Sequence, residues 1–463
     1  MRTYKNLLTT TAAILLALAA TAPAAPAALE TRPAASPAPE TRPAELTQAE
    51  RAEKLYQQGR DALLTGEYDK AVKVLTEAVA ADKVGKTSYR LALARAYRYA
   101  GQIEPAAKEL AAILKAAPDH VEAGQLLGEI HIAEENWAKA AEVLTPLLKY
   151  RHDYTTYHML AEADYHLDKY PTARKYFEEA IKLNPNSAAD HYQLGNIYLA
   201  GHFYALAAEA YRKALDLGID SPVLRYKLGS AYFNLRNYFG RVQVVTVKAG
   251  KAGTISENWY LIEPVPGKTD TFRAAPNDSA IYQIARATTD GIADRPDIQF
   301  LKANIYLNAR RYKQAYDMFG KIKGIIPDED KALFYFYYSQ AAFGVDKYDE
   351  YISLLDEAIA LDKAAYEPTL VEAYLKVAEQ YNQLGQADKY IHYLTRAVAA
   401  SPQTVSLHLK LGYAYEHSRQ YALAVRQWRL VLDLQSDHPD RMKLINLIGK
   451  YKDLPAEEAK KGS

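Results

Sequence analysis

One sequence motif typical of a helical unit recurs along this chain roughly ten times, at a spacing of about 34 residues. One copy consists of Leu194, Gly195, Tyr198, Tyr204, Ala207, Tyr211 and Ala214. The last copy repeats this order of residue types with Leu411, Gly412, Tyr415, Tyr421, Ala424, Trp428 and Val431. A unit of this size cannot bury its apolar face alone, so neighbouring units must stack. The repeat therefore predicts an array of stacked helix pairs.

The order of residue types resembles the tetratricopeptide-repeat signature. A large residue, a small one and an aromatic residue stand on the first helix, and Ala, a large residue and Ala on the second. Prolines close several units, at Pro118, Pro185, Pro327 and Pro402. The resemblance implies an all-α fold, a right-handed solenoid of helix pairs, over about residues 47–440 apart from one insertion. It also implies a surface that grips partners rather than housing chemistry.

The first residues resemble a secretory signal. Arg2 and Lys5 supply positive charge, an apolar stretch follows, and small residues up to Ala27 offer cleavage sites. We therefore predict a signal peptide over residues 1–27 and export to the periplasm or the cell exterior. No membrane span is expected after signal removal, the alternative being an uncleaved anchor. The chain contains no cysteine, so a lipoprotein, which needs an acylated Cys, is not expected.

Charge argues against nucleic acid as a partner. The formal net charge is +1, and it becomes −1 (1 − 2) when Arg2 and Lys5 are removed with the signal. Proteins that bind nucleic acid usually carry a basic patch or stripe, and the sequence shows no such block.

The periodicity divides the chain into segments. The linker is rich in Ala and Pro, and the helical pattern that follows it is interrupted once. The predicted segments are a linker over 28–46, an N-terminal repeat array over 47–239, an insertion over 240–277, a C-terminal repeat array over 278–440, and a capping helix with a tail over 441–463.

The insertion has no helical period. Residues 242–247 and 259–262 are rich in β-branched and aromatic residues, and glycines between them indicate a turn. We predict a β-hairpin from these two runs, with a third short strand near Phe272. Asp278 is expected to cap the helix that completes the interrupted repeat.

No constellation for catalysis or metal binding is visible. The chain lacks a Cys nucleophile, a G-x-S-x-G elbow and an H-E-x-x-H motif. The loop 250–254 is phosphate-loop-like in composition, but it lacks the Walker spacing. His158 and His166 share one rough face of a helix, yet a metal needs about four converging ligands. We therefore predict no catalytic residue, no metal, no cofactor and no enzyme activity.

The family resemblance places the partner surface on the first helix of each repeat. Asn side chains there can pair with the backbone of an extended peptide, and aromatic rings can form pockets. The alternative is that these residues serve solubility alone. The projected residues are His158, Glu162, Tyr165, Tyr192, Asn196, Tyr226, Ser230, Asn234, Phe300, Asn304, Asn308, Phe336 and Gln340.

The family's Lys/Arg/Asn clamp for a C-terminal carboxylate is not reproduced. Asn196 stands where that clamp has an Asn, but Tyr192 stands where it needs a Lys. In the insertion, Trp259 and Tyr260 are candidate exposed anchors, because Trp and Tyr dominate interaction hot spots. The same two rings could instead pack the hairpin onto the neighbouring repeat.

Two functions remain open from the sequence. The first is a non-catalytic scaffold of the cell envelope that binds a protein or an extended peptide through the groove and the hairpin. The alternative is a glycan-binding module in polysaccharide export or cell-wall assembly, with tyrosines stacking on sugar faces. An enzyme or enzyme subunit is a third and less favoured class.

Overall fold

The computed structural model describes residues 47–292 and 295–452. The predicted signal peptide, the linker and the end of the tail lie outside these described residues. The chain divides into two compact units, residues up to Tyr89 and residues from Arg90 onward. No helix in the described ranges is long and apolar enough to cross a membrane.

The described residues of the first unit begin at a capping box. The Thr47 hydroxyl accepts a hydrogen bond from the Glu50 amide at 3.3 Å, and the Thr47 amide donates to the Glu50 carboxylate at 2.8 Å. The first described helix therefore begins directly after Thr47. The helices of the first unit are α1 (Gln48–Leu64), α2 (Tyr68–Ala81) and the beginning of α3 (Thr87–Tyr99).

The second unit contains the remaining elements, which pair in succession as the repeat predicted. Before the insertion these are α4 (Ile103–Ala116), α5 (Val121–Ala133), α6 (Trp137–Leu144), α7 (Tyr154–His166), α8 (Tyr170–Leu183), α9 (Ala188–Ala200), α10 (Tyr204–Asp216) and α11 (Pro222–Asn234). After it come α12 (Ala280–Ala287), α13 (Pro296–Asn308), α14 (Tyr312–Ile322), α15 (Lys331–Gly344), α16 (Tyr348–Leu361), α17 (Lys363–Tyr366), α18 (Leu370–Gln383), α19 (Ala387–Ala400), α20 (Val405–His417), α21 (Tyr421–Leu434) and α22 (Arg441–Tyr451). Pro146 ends α6, and a 3₁₀ turn follows over Thr145–Lys149.

Within a repeat, the small residue of the signature brings the two helices together. A methyl group on Gly195 would lie 2.7 Å from the ring of Tyr211, and one on Gly412 would lie 2.5 Å from Trp428. Both large side chains are fully buried. The signature therefore encodes close packing between the first and second helix of a pair.

The turn between the two helices of a repeat contains one residue with positive φ. Three repeats use Gly66, Gly101 and Gly385 there. The others place a non-glycine residue in this left-handed region, where a Cβ is unfavourable. These residues are Glu135, Asp168, His202, Arg236, Arg310, Asp346 and Arg419, with φ between 55° and 61°.

The insertion is an antiparallel four-stranded sheet. Its strands are β1 (Gln243–Thr246), β2 (Ile255–Ser256), β3 (Trp259–Pro264) and β4 (Thr271–Pro276), and their spatial order is β1-β4-β3-β2. The β insertion and its third run near Phe272 were expected, but the first two runs do not pair with each other. Both flank β4, which is the most buried strand and takes an inner position, whereas the exposed β1 lies at an edge.

The insertion interrupts the sixth repeat at its helix-helix turn, and the chain returns to the same point. The Ala280 amide donates to the Asn237 carbonyl at 2.9 Å, and the Ile281 amide donates to the Tyr238 carbonyl at 3.0 Å. The cap of α12 is Ser279 rather than the predicted Asp278, since the Ser279 hydroxyl accepts from the Tyr282 amide. A π-helical turn, Thr288–Ile292, extends α12.

Candidate functional site

Four aromatic rings occupy equivalent places on successive first helices of the second unit. Each stands three residues before the small residue of its repeat, and each is half-buried. We call these rings the aromatic row: Tyr192 on α9, Tyr226 on α11, Phe300 on α13 and Phe336 on α15. The row continues the place held by His158 on α7. All five positions were predicted from the sequence.

The polar residues four positions later do not all face outward. The Ser230 hydroxyl donates to the Tyr226 carbonyl at 2.9 Å, and the Asn304 amide donates to the Phe300 carbonyl at 3.1 Å. The Asn308 amide donates to the Asn304 carbonyl at 2.9 Å. These donors form hydrogen bonds with carbonyls of their own helix. They are therefore not available to the backbone of an extended peptide, although the sequence suggested that role for them.

Asn196 belongs to a buried network rather than to an open surface. Its Oδ1 accepts a hydrogen bond from the Tyr211 hydroxyl at 2.8 Å and one from the Lys227 ammonium at 2.7 Å. Its Nδ2 donates to Gln193 at 2.8 Å. Burial of Asn196 (7 % exposed) makes these bonds structural.

Asn304 stands in the corresponding place on α13 but lacks such donors. Phe319 stands fifteen residues after it, as Tyr211 does after Asn196, and a phenylalanine has no hydroxyl. The Oδ1 of Asn304 is buried and has no hydrogen-bond partner among the described residues. A buried acceptor without a donor destabilises the folded state.

Lys227 is a cation that the sequence did not single out. Its ammonium donates to the Tyr192 hydroxyl at 2.9 Å and lies 4.8 Å from the centre of the Tyr192 ring. In the described part of the chain, no carboxylate lies within ion-pair distance of it. Burial lowers the pKa of Lys227 to about 8. The partly buried ammonium group of Lys227 thus lies beside the aromatic row.

His158 is tied to the next repeat. Its Nδ1 lies 2.5 Å from the buried carboxylate of Asp190, and the Tyr154 ring stacks on it at 5.6 Å. Burial disfavours the imidazolium, but the hydrogen bond to Asp190 and the negative charges of Asp190 and Glu162 together outweigh this effect and raise the pKa of His158. On the same helix Glu162 is half-buried, while Tyr165 is buried and its pKa is raised by that burial.

The two candidate anchors of the insertion are packing residues. Tyr260 is 2 % exposed, and its hydroxyl contacts that of Tyr306 on α13. Trp259 is half-buried and packs beside Leu261 and Phe272. Tyr260 as an exposed anchor was therefore wrong, because β3 turns this ring into the core of the repeats.

The remaining predicted positions are more open. Gln340 is half-buried, and its side-chain amide reaches the Ser339 hydroxyl at 3.5 Å. Asn234 and Asn308 are exposed. In the ranges 47–292 and 295–452, no group of three or more His, Asp or Glu side chains is arranged to hold a metal ion.

Comparison with known sequences identifies the repeat. Three family models described as tetratricopeptide repeat match residues 98–163, 154–187 and 192–238. A stretch of 192 residues is 30% identical to human Protein O-mannosyl-transferase TMTC1. This stretch covers 40% of the present chain and 21% of that protein, so the chain spans about a fifth of the length of this curated relative.

Solved structures with similarity to the chain include MamA and YrrB. MamA from Desulfovibrio magneticus RS-1 is 20% identical, with 37% of this chain and 97% of that chain covered and a TM-score of 0.35. YrrB, titled a TPR protein with an unusual peptide-binding site, is 17% identical, with 48% and 94% covered and a TM-score of 0.35.

Proposed function

We propose that this chain, which belongs to the tetratricopeptide-repeat proteins, is a non-catalytic scaffold that binds a polypeptide partner along its first helices. The aromatic row carries the proposal. Four half-buried rings at equivalent places expose part of their apolar surface to water, and a partner that covered them would gain the free energy of that burial. Their regular recurrence suits a ligand that extends over several repeats.

One polar group adds selectivity to this surface. The Lys227 ammonium has only neutral oxygen partners in the described ranges, so it favours an acidic or carbonyl-rich segment nearby. A partner with alternating apolar and polar groups fits this combination.

The test is capture of the partner by crosslinking in the cells that produce the protein, followed by identification of the captured molecule. A Tyr226→Ala/Phe336→Ala variant removes two rings of the aromatic row. The matched control is Tyr204→Ala/Tyr390→Ala, which removes two half-buried tyrosines from second helices. We expect the first variant to lose capture at least tenfold and the control to retain it.

Equal capture by both variants, at equal thermal stability, would exclude the aromatic row as the binding surface. Retention on polysaccharide without capture of any protein would instead support the glycan-binding alternative. A mannose-transfer assay on the purified protein addresses the name of the human relative, and we expect no transfer.

The envelope is the proposed location, and it rests on the signal-like residues 1–27. Export predicts that the mature protein is recovered in the periplasmic or extracellular fraction and lacks these residues. Fractionation followed by determination of the mature N-terminus tests this. Recovery of the uncleaved chain in the cytoplasm would contradict it.

A further inference from the structure

Lys302 occupies a place that other repeats fill with a buried leucine. It precedes Ala303 and Tyr306 in the order in which Leu228 precedes Gly229 and Tyr232. Leu93, Leu127, Leu160, Leu194, Leu228 and Leu411 hold this place elsewhere, and each is at most 7 % exposed. A lysine at a core position of the repeat is costly unless something compensates its charge.

A cavity of about 570 Å³ opens beside this lysine. Its walls come from α11, α12, α13 and the loop that leads into β2. The second helix of this repeat, α12, has 8 residues, whereas α8, α16, α19 and α21 have 14. The cavity borders the end of this short helix and the π-helical turn after it, and its volume suits a small ligand.

The charged groups of the cavity are mainly basic. Arg225, Arg286 and Lys302 line it, and Glu257 is the single carboxylate among the lining residues that the structure describes. Arg225 is held in place by Asp220 at 2.5 and 2.7 Å and by Gln283 at 2.9 Å. In the described ranges Lys302 has no carboxylate within ion-pair distance, and burial together with Lys321 lowers its pKa.

Hydroxyl groups complete the lining. Thr254 and Thr288 donate their O–H groups to backbone carbonyls at 2.5 and 2.6 Å. Their oxygens therefore remain as acceptors for hydroxyl groups of a ligand. The loop 250–254 is not a phosphate loop, because the Gly253 and Thr254 amides donate to the Leu261 and Lys251 carbonyls.

We propose that this cavity binds a small anionic sugar, with its carboxylate or phosphate beside Lys302 and its hydroxyl groups on the threonines. A neutral sugar leaves the lysine uncompensated, and an inorganic anion leaves the threonine acceptors unused. The cavity lies within the second unit and is distinct from the aromatic row, so this inference does not depend on the proposed partner surface.

The test is isothermal titration calorimetry of the full-length protein with four probes: glucuronate, glucose 6-phosphate, glucose and inorganic phosphate. We expect one of the two anionic sugars to bind at least tenfold more tightly than glucose or inorganic phosphate. Which of the two binds distinguishes a carboxylate from a phosphate ligand.

Lys302→Leu introduces the leucine that six other repeats have at this position, so this variant should fold. It should weaken binding of the anionic sugar at least tenfold, because it removes a charge-assisted hydrogen bond. Lys302→Gln should do the same, and Lys410→Gln, an exposed lysine on α20, should leave binding unchanged. The sugar should raise the melting temperature of the wild type but not of Lys302→Leu.

Several outcomes would overturn the proposal. These are failure of both anionic sugars to bind at millimolar concentration, binding of glucose or inorganic phosphate as tightly as the anionic sugars, and unchanged affinity in Lys302→Leu.

Discussion

Gly195 shows how a single residue determines the packing of a repeat. Its Cα faces the ring of Tyr211, which is fully buried and donates a hydrogen bond to Asn196. Gly195→Ala would force this ring away and weaken that bond. We expect a loss of about 1–3 kcal/mol in the free energy of unfolding.

Urea denaturation measures this loss. Gly324→Ala is the matched control, because a methyl group there meets no heavy atom within 4 Å and the backbone φ is not positive. Equal free energies of unfolding for both variants would show that the close contact at Gly195 does not contribute to stability.

Lys227 makes a prediction about pH. Its pKa is about 8 in the folded protein and 10.5 in the unfolded chain, because burial disfavours the charged form. Between these values the unfolded chain binds more protons, so stability rises with pH, by at most about 1.4 kcal/mol per unit. Below pH 8 both states are protonated and the burial cost is present in full.

Lys227→Met should remove this rise. The comparison requires denaturation of both proteins at pH 7, 8, 9 and 9.5, because the tyrosines, which begin to titrate at the upper end of this range, contribute equally to wild type and variant. Parallel pH profiles of wild type and variant would contradict the assignment.

Residue identity predicted the contacts that recur and missed those that are particular to one repeat. The Gly195–Tyr211 contact follows from the signature, because the same pair of positions meets in the copies that contain Gly59, Gly128 and Gly412. The burial of Tyr260 depends on which face of β3 meets α13, and no local pattern specifies this. Lys302 carried a signal that was overlooked, since a charge stands where six other copies have leucine.

At the level of elements, the helix-helix turn is the most regular feature. Seven repeats place a residue with a Cβ in the left-handed region that three others fill with glycine. Arg419→Gly should therefore raise the free energy of unfolding by about 0.5–1 kcal/mol. Gly385→Arg should lower it by a similar amount, although a side chain there meets no atom within 4 Å.

Thermal denaturation of the two variants measures this pair of effects. A gain in Arg419→Gly without a matching loss in Gly385→Arg would mean that the side chain, rather than the backbone, determines stability at this turn.

Helix positions were predictable because their patterns are local, whereas strand pairing was not. The runs at 242–247 and 259–262 read as neighbours in sequence, but β1 bonds to β4, which follows 25 residues after β1 ends. Pairing was decided by burial: β4 carries Phe272, Ala274 and Ala275, all buried, and needs a strand on either side.

At the scale of the whole molecule, the inserted sheet contributes to the hydrophobic core of the second unit. Tyr260 and Ala275 are buried in the same apolar cluster as residues of α11, α13 and later helices. Deletion of residues 241–275 should therefore cost on the order of 3–5 kcal/mol, because it removes several buried side chains. The array should then melt over a broader range, since its helix pairs are coupled through neighbours.

Differential scanning calorimetry of the deletion variant tests this. Val244→Ser, which alters an exposed residue of the edge strand β1, is the control and should melt like the wild type. A deletion variant with unchanged melting would show that the repeats close up without the sheet.

Because the chain returns to Asn237 and Tyr238 after the sheet, the helix-helix turn of the sixth repeat is a site that tolerates an inserted domain. Two backbone hydrogen bonds join the segment before the sheet to the first turn of α12 after it. The repeat is therefore formed by two helices, α11 and α12, that are distant in sequence. Any guest domain whose two ends lie side by side could enter at the same turn of another repeat without changing the helices around it. The array can thus be treated as a scaffold into which a domain can be inserted at each of its helix-helix turns.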